Sequence, residues 1–416
     1  MPKNWSFLPF SNAFKQISII SKIKLKEYKT EGKFPIIDQG ENFISGYWNN
    51  DDDAIKEIPL IAFGDHTRRF KFISFPFVAG ADGLKLFSPL FTTPCFSYYM
   101  CLALSFPNKG YARHSSFLKK CIFPVPPLAE QERIVAKIEE LFAGIDAGVE
   151  NLKSVKNQIA LYRQSVLKSA FDFDASTFSA LKNLIDKVRY GTSKKCSTEE
   201  NVNSMPVYRI PNIDFKKGVL DKTDLKFASF DDSEKSSLML KSGDILIIRS
   251  NGSLNLVGRA ALVYNTDTNG LYAGYLMRLR IKDTEKLLPK FLLHFLNSGK
   301  ARAYIEEKAK STSGVNNINS EEISDLQIPV PTLAEQERIV AEIESRFERA
   351  DALETAVDRA LNDAEKLKQA VLKKAFSGEL VPQNPDDEPA SVLLARIRAA
   401  RAAEQRANPK KGKQKR

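Results

Sequence analysis

The sequence predicts an α+β fold, in which two mixed α/β domains are joined by two long antiparallel helices that form a coiled coil with pseudo-two-fold symmetry. Three observations predict it: a 16-residue motif occurs twice, an amphipathic stretch follows each copy, and short strand-like runs precede each copy. The expected boundaries are a first domain at 1–122, a first long helix at 123–173, a second domain at 174–327, a second long helix at 328–378, and a C-terminal segment at 379–416. That last segment is expected to hold a short helix and a basic, disordered tail.

The duplicated motif is the strongest signal in the chain. Residues 124–139 read PVPPLAEQERIVAKIE and residues 329–344 read PVPTLAEQERIVAEIE, so 14 of 16 positions are identical at an offset of 205. The register continues without a gap to VLKSAF at 166–171 and VLKKAF at 371–376. A constant offset over this length indicates an internal duplication.

Each copy of the motif opens a predicted long helix. Apolar residues recur at steps of three and four from Ile134 to Val166 and from Ile339 to Val371, with Tyr162, Leu353 and Leu367 among them. A helix over residues 131–171 would be about 60 Å long at roughly 1.5 Å per residue. Because the chain must return between the copies, we expect the helices to pair antiparallel with each other. The alternative is an ordinary coiled-coil dimerisation segment.

The two segments that precede the helices have similar patterns and different side chains. Residues 58–80 (IPLIAFGDHTRRFKFISFPFVAG) and 244–264 (DILIIRSNGSLNLVGRAALVY) alternate apolar runs with turn signals. Helical patterns follow at 96–106 and 288–309. The halves are therefore predicted to share an architecture and to differ in their surfaces.

Composition excludes several classes of protein. No run of 18 apolar residues and no signal peptide is found, so we expect a cytoplasmic protein with no membrane partner. The net charge of +11 is concentrated at the C-terminus, where residues 396–416 hold nine Lys/Arg and one Glu. This basic tail can add non-specific attraction to phosphates, although a solvated end is the plainer interpretation. The four cysteines and three histidines lack metal-ligand spacing, so no metal site is predicted.

Motifs for catalysis on nucleic acids are missing. The sequence has no G-x-x-x-x-G-K-[ST] phosphate loop, no G-x-G-x-x-G and no Asn-Pro-Pro-aromatic run. Pro385-Asp386-Asp387 resembles half of a nuclease motif, but no Glu-x-Lys follows it. Asp65-His66 are adjacent residues whose side chains would point apart. The chain by itself is therefore not predicted to be an enzyme.

These features resemble the specificity subunits of type I restriction–modification systems. The resemblance rests on the paired helix motifs, on the AVLKKAFSGELVPQNPDDEPASVLL segment at 370–394, and on shorter matches within each domain. The shorter matches are EGKFPIIDQGENFISGY (31–47), FGDHTRRFKF (63–72), GADGLKLF (80–87), YGTSKK (190–195), VYRIPNID (207–214), RSNGSLNLVG (249–258) and SGVNNIN (313–319). The first domain, at about 120 residues, is shorter than the second, which leaves its edges less defined.

The resemblance implies a function for each part. In this family two target-recognition domains each read one half of a split, asymmetric site in double-stranded DNA, and the helices set the unread spacer. Two modification subunits supply S-adenosylmethionine-dependent adenine-N6 methylation, and two restriction (motor-nuclease) subunits supply translocation and cleavage driven by ATP and Mg. The chain itself would hold no cofactor. Two alternative functions stay open. The first is a coiled-coil scaffold without sequence-specific DNA binding, which a footprint on random DNA would distinguish from a specificity subunit. The second is a fragment of a fused enzyme, which catalytic activity of the isolated chain would reveal.

Candidate DNA-binding residues lie in the polar turns between apolar runs. Base edges are read by Arg, Asn and Gln, and phosphates by Lys, Arg and backbone N–H groups. The candidates in the first domain are Asp65, His66, Thr67, Arg68, Arg69, Arg113 and His114. Those in the second domain are Lys194, Lys195, Arg249, Asn251, Ser253, Asn255, Asn316 and Asn317. For each, the alternative is a solvated turn or a strand-edge hydrogen bond.

Charged residues on the outer faces of the helices are candidates for subunit contacts. They are Glu132, Arg133, Lys137, Glu337, Arg338 and Glu342. The alternative is that these side chains are only solvated.

Overall fold

The chain divides into two compact units. The computed structural model describes residues 2–81, 83–106, 113–174, 177–310 and 314–407, the side chains of 404–407 excepted. The first unit joins Met1–Leu152 to Arg359–Arg416, and the second is Lys153–Asp358. Each unit thus holds one of the predicted recognition domains and part of each long helix. The finer boundaries drawn from the sequence stay predictions, and the basic tail from residue 408 lies outside the described residues.

The first domain and the helix after it contain short strands followed by helices. In order, the elements are β1 (Ser6–Pro9), α1 (Phe10–Ala13), β2 (Phe14–Ile17), β3 (Phe34–Ile37), β4 (Gly46–Trp48), β5 (Ala54–Ile55), β6 (Leu60–Gly64), β7 (Phe70–Ile73), β8 (Phe77–Ala79), β9 (Leu84–Pro89), α2 (Pro94–Leu102), α3 (Ser115–Leu118), β10 (Ile122–Val125) and α4 (Leu128–Ala170).

The rest of the chain repeats this plan. Its elements are β11 (Phe178–Ala180), β12 (Arg189–Tyr190), β13 (Ser204–Tyr208), β14 (Ile213–Asp214), β15 (Val219–Leu220), β16 (Lys226–Ser229), α5 (Asp232–Leu238), β17 (Ile245–Ile248), β18 (Ser250–Asn251), β19 (Ala260–Leu262), β20 (Leu271–Tyr272), β21 (Leu276–Leu279), α6 (Pro289–Leu296), α7 (Gly299–Lys308), β22 (Asn316–Asn317), α8 (Ser320–Ser324), β23 (Gln327–Pro329), α9 (Leu333–Ser377) and α10 (Ala390–Ala407).

The two domains share the core of their sheet topology, although the second domain has the additional strand pairs β14–β15 and β18–β22. One sheet has the order β2-β9-β6-β7 in the first domain and β12-β21-β17-β19 in the second. A second sheet in each domain contains one parallel strand pair, which is β3–β8 in the first domain and β13–β20 in the second. Each domain also has one separate antiparallel strand pair. The pair β1–β10 directly precedes α4, and the pair β11–β23 directly precedes α9. The prediction of similar folds with dissimilar sequences is therefore confirmed.

The central strand of each domain is apolar throughout because both of its faces are buried. In β6, Ile61 and Phe63 join a core with α2, whereas Leu60 and Ala62 face the second sheet. In β17, Ile245 and Ile247 pack towards α6, and the alternating residues enter a separate cluster. Side chains of a strand alternate between faces, so a fully buried strand needs apolar residues at every position. This explains the runs IPLIAFG and DILII.

The long helices run antiparallel, as predicted. They comprise 43 residues in α4 and 45 in α9. In the second unit, Arg163 pairs with Asp351, and Lys156 Nζ lies 2.7 Å from Asp358 Oδ1, so residue numbers rise along one helix as they fall along the other. In the first unit Lys368 of α9 pairs with Asp146 of α4.

The predicted apolar seam between the helices is only partly formed. Tyr162, Leu353 and Leu367 are 44%, 49% and 53% exposed, so their assignment to the seam was wrong. A straight helix drifts by about 20° per heptad, and a stripe read at steps of three and four leaves the contact after a few turns. The best-buried stripe residues, such as Ile134 and Ile343, are those that pack on a domain core.

The ends of the two long helices pack on the domains in equivalent ways. Phe171, just beyond the end of α4, stacks edge-to-face with Phe291 of α6 at 5.2 Å between ring centroids. Phe376, at the end of α9, makes the same contact with Phe96 of α2 at 5.2 Å. The first domain therefore packs against the end of α9, and the second domain packs against the end of α4. This equivalent packing accounts for the repeated VLKxAF motif.

Candidate nucleic-acid interface

In the second domain, polar candidates from two distant segments come together on one ribbon. Strands β18 and β22 pair antiparallel, with Ser250 opposite Asn317 and Asn251 opposite Asn316. The Asn316 side-chain amide donates to the Gly252 carbonyl at 3.0 Å. Asn317, in contrast, is exposed at the surface. The ribbon therefore presents amide groups, which are able to donate and accept at a base edge.

Arg249 lies at the base of this ribbon and is held in a fixed geometry. Its guanidinium carbon is 4.4 Å from the centroid of the Tyr190 ring, and its Nε donates to Asn317 Oδ1 at 3.2 Å. The Tyr190 hydroxyl in turn accepts from the Ser320 backbone N–H at 2.9 Å. Among the described residues none is hydrogen-bonded to the terminal guanidinium nitrogens of Arg249, a planar donor pair with the geometry that suits the O6 and N7 atoms of guanine.

A buried arginine is hydrogen-bonded to the backbone of the loop after β18. Ser253 Oγ donates to Asn255 Oδ1 at 2.7 Å, and both residues are exposed. Arg302, only 7% exposed, donates to the Val257 carbonyl at 2.6 Å and to the Asn255 carbonyl at 3.3 Å. Gly258 has φ +80°, and a Cβ there would lie 2.9 Å from Arg302 Nη1, so only glycine fits. These contacts should lower the ordering cost when the loop presents Ser253 and Asn255 to a ligand.

The two lysine candidates differ. Lys194 Nζ lies 2.5 Å from Glu234 Oε2 and 3.0 Å from the Ser229 carbonyl, and its charge is thus compensated within the domain. Lys195 is exposed. Of the pair, Lys195 is the better placed to attract a phosphate.

In the first domain, Asp65 and His114 are buried and hold two segments together. Asp65 Oδ1 accepts from the backbone N–H groups of His114 at 2.8 Å and Ser115 at 2.7 Å. The His114 Nδ1 atom lies 3.1 Å from the Asp65 carbonyl oxygen. These residues are 3% and 2% exposed, so their geometry supports a positioning role in place of the predicted direct contact with DNA. The exposed Arg113 stands directly before this junction.

The turn between β6 and β7 presents the other candidates of the first domain. Thr67 Oγ1 donates to the Gln39 carbonyl at 2.7 Å, and the His66 backbone N–H donates to Gln39 Oε1 at 3.3 Å. Arg68 has φ +61°, a left-handed conformation that reverses the chain, and Arg69 is exposed and 2.8 Å from Glu41 Oε1. Four polar side chains therefore share one short turn, braced against the segment that contains Gln39.

Three residues with roles near these sites were missed from the sequence. Tyr190 and the 64% exposed Tyr275 flank Arg249, whose backbone N–H donates to the Tyr275 carbonyl at 2.9 Å. Lys71 is buried and donates to the carbonyls of Asp38 and Asn42, and burial lowers the pKa of its ammonium group. The sequence signal for Tyr190 was its position as an aromatic residue directly before Gly191. No local sequence pattern marks Lys71.

The predicted subunit-contact residues lie on the first turns of the long helices. Glu132 and Glu337 are exposed. Arg133 makes a bidentate ion pair with Asp387, whereas the equivalent Arg338 binds Glu335 and Glu342 on its own helix. Lys137 pairs with Glu140. The two helix starts therefore differ in charge pairing despite their shared sequence.

Within the described ranges, no group of three or more His, Cys, Asp or Glu side chains is arranged to hold a metal ion. Within the same ranges, no helix is long and apolar enough to cross a bilayer.

Comparison with known proteins identifies the family. The family model for the type I restriction modification DNA specificity domain matches residues 15–157 and 175–362. The chain is 33% identical over 302 residues to the type I restriction enzyme EcoKI specificity subunit of Escherichia coli K12, and 32% identical over 298 residues to the StySPI specificity subunit of Salmonella potsdam. Each match covers 67% of this chain and spans 64% of the length of the relative.

A solved structure has the same fold. A chain from a study of complex assembly and conformational transition of the type I R-M system superimposes with a TM-score of 0.67 at 20% identity. The match covers 91% of this chain and 99% of that one. With its duplicated recognition fold and its family match, the chain belongs to the DNA specificity subunits of type I restriction–modification systems.

Proposed function

We propose that this chain is the sequence-reading subunit of a type I restriction–modification complex, with each domain binding one half of an asymmetric, bipartite site in double-stranded DNA. The supporting observation is that the same four-stranded sheet order is built twice, with different polar residues after its central strand. The junction of the β6 turn with the segment before α3 carries Arg68, Arg69 and Arg113, whereas the β18–β22 ribbon carries Arg249 and Asn317. Different side chains on one scaffold would read different bases.

The long helices would set the spacer between the half-sites and dock two modification subunits. Half-sites read from one face of DNA are separated by about one helical turn, roughly 34 Å. Helices of 43 and 45 residues measure about 65 Å at ~1.5 Å per residue, which is long enough to span that separation. Their exposed starts, with Glu132 and Glu337, are candidate docking faces.

The chain would carry no catalysis of its own in the cytoplasm. S-adenosylmethionine would be bound by the modification subunits, and ATP and Mg by two restriction subunits. The absence of a phosphate loop and of methyltransferase motifs from the sequence supports this division of labour.

Genome-wide mapping of adenine methylation tests the proposal. The chain would be expressed with its cognate modification subunit in a host without other adenine methylation. We expect a motif of two unlike half-sites around an unspecified spacer. Replacing residues 176–326 by the second domain of another specificity subunit should change one half-site and leave the other intact. A continuous palindrome, or no methylation while the modification subunit is bound, would contradict the proposal.

A further inference from the structure

Two glutamines occupy the same position of the duplicated motif and are completely buried. Gln131 and Gln336 lie 205 residues apart in the LAEQERIV sequence, in the first turns of α4 and α9, and each is 0% exposed. A buried primary amide must satisfy its polar atoms within the protein. Their partners therefore show what each side chain holds together.

Gln131 joins the start of α4 to the start of α2 in the first unit. Its Oε1 accepts from the backbone N–H of Thr93 at 2.8 Å, and its Nε2 donates to the Pro126 carbonyl at 2.9 Å. Thr93 is the N-cap of α2, which begins with Pro94. The amide thus links the proline turn before the long helix to the helix that packs on the recognition sheet.

Gln336 makes the equivalent link in the second unit. Its Oε1 accepts from the backbone N–H of Leu288 at 2.9 Å, and its Nε2 donates to the carbonyls of Pro331 at 2.9 Å and Lys286 at 2.8 Å. Leu288 is the N-cap of α6, which also begins with a proline. The same amide therefore contacts the same structural points in both domains, although the sequences around Thr93 and Leu288 differ.

The two amides add directional contacts to the packing of each domain on its long helix. Apolar packing of α2 on α4, or of α6 on α9, has no preferred direction. The two or three hydrogen bonds of one planar amide are directional. One base pair corresponds to about 3.4 Å of rise and about 35° of rotation along DNA. A small change in the angle of a domain would consequently move its reading edge by a base pair.

We infer that Gln131 and Gln336 are positioning residues that fix the angle of each recognition domain about its own long helix and thereby restrict the subunit to one spacer length. The inference rests on the proposed function and deepens it. Neither side chain touches DNA in this role. Base choice stays with the domain surfaces, and the amides decide only which spacing of the half-sites is accepted.

Gln336→Met and Gln131→Met test this, because methionine keeps the unbranched shape and removes every hydrogen bond. The full chain in complex with its modification subunit would be titrated with DNA duplexes holding the wild-type spacer or one base pair more or fewer. We expect wild type to discriminate between spacers by up to about a hundredfold in Kd, the usual size of a coupling between two sites, and each variant by less than about tenfold. Methylation mapping should then show unchanged half-sites at more than one spacer.

Ile339→Val is the matched control for a merely structural effect. Ile339 is buried in the same helix and makes no polar contact through its side chain, so its truncation lowers stability without altering the amide links. The ratio of Kd values does not depend on the amount of folded complex. Unchanged spacer discrimination in both glutamine variants would overturn the inference alone. A wild-type motif without two half-sites would instead overturn the proposed function and the inference with it.

Discussion

Arg249 stacks on Tyr190 with its guanidinium carbon 4.4 Å from the ring centroid, and Asn317 accepts a hydrogen bond from its Nε. The three residues come from segments up to 127 positions apart in the chain. Their contact fixes the plane of a guanidinium at the surface of the second domain, where a base edge could be read.

Removing the Arg249 guanidinium should relax one half-site. If Arg249 makes the proposed bidentate contact to a base, Arg249→Ala should lose about 1–3 kcal/mol of discrimination at one position, roughly 5- to 150-fold. Competition binding with duplexes substituted at each position of both half-sites would measure it. Tyr190→Phe is the control, since it keeps the stack. Uniform weakening at every position would instead assign Arg249 to a phosphate contact.

Asp65 should be required for recognition of the first half-site, because its carboxylate holds the backbone of His114 and Ser115 in place. Asp65→Ala removes the carboxylate acceptor of the Ser115 backbone N–H and one of the two acceptors of the His114 backbone N–H, which keeps only the Asp65 carbonyl at 3.0 Å. We expect a loss of about 1–3 kcal/mol in the free energy of unfolding, followed by weaker recognition of the first half-site only. Urea denaturation and methylation mapping would measure the two effects. Wild-type stability in this variant would mean that the carboxylate is dispensable.

The sequence predicts the duplication and the long helices well, because both depend on local periodicity and on repetition. It also identifies the segments that form the ribbon around Asn251 and Asn316. It does not reveal that Asp65 and His114 are buried against each other, since the contact joins residues 49 positions apart. Nor does it reveal that the charge of the exposed Lys194 is paired with Glu234, which lies 40 residues away. Long-range pairing decides which polar residues of a turn are buried and which exposed charges are already compensated.

His294 should make the second unit sensitive to mild acid. Burial lowers the pKa of its imidazole, which packs on Phe347, to about 4. In the unfolded chain the pKa would be about 6.5. Its stabilising contribution is therefore complete above pH 6.5 and is lost as the pH falls from there towards 4. We expect wild type to lose about 2 kcal/mol more than His294→Gln between pH 7 and pH 5, measured by urea denaturation. Equal losses would place the acid sensitivity elsewhere.

The lengths of α4 and α9 should determine the spacer. Four residues inserted into α4 after Leu152 add about 6 Å and about 40° of rotation beyond a full turn. We expect the methylated motif to keep both half-sites and to change its spacer by one or two base pairs, as read by methylation mapping. Four alanine substitutions in the same stretch of α4, without insertion, provide the control for disturbed packing, and they should leave the spacer as it is. If the insertion variant methylates sites with the original spacer, the helices do not act as a ruler, and the spacing must be set by the domains or by the modification subunits.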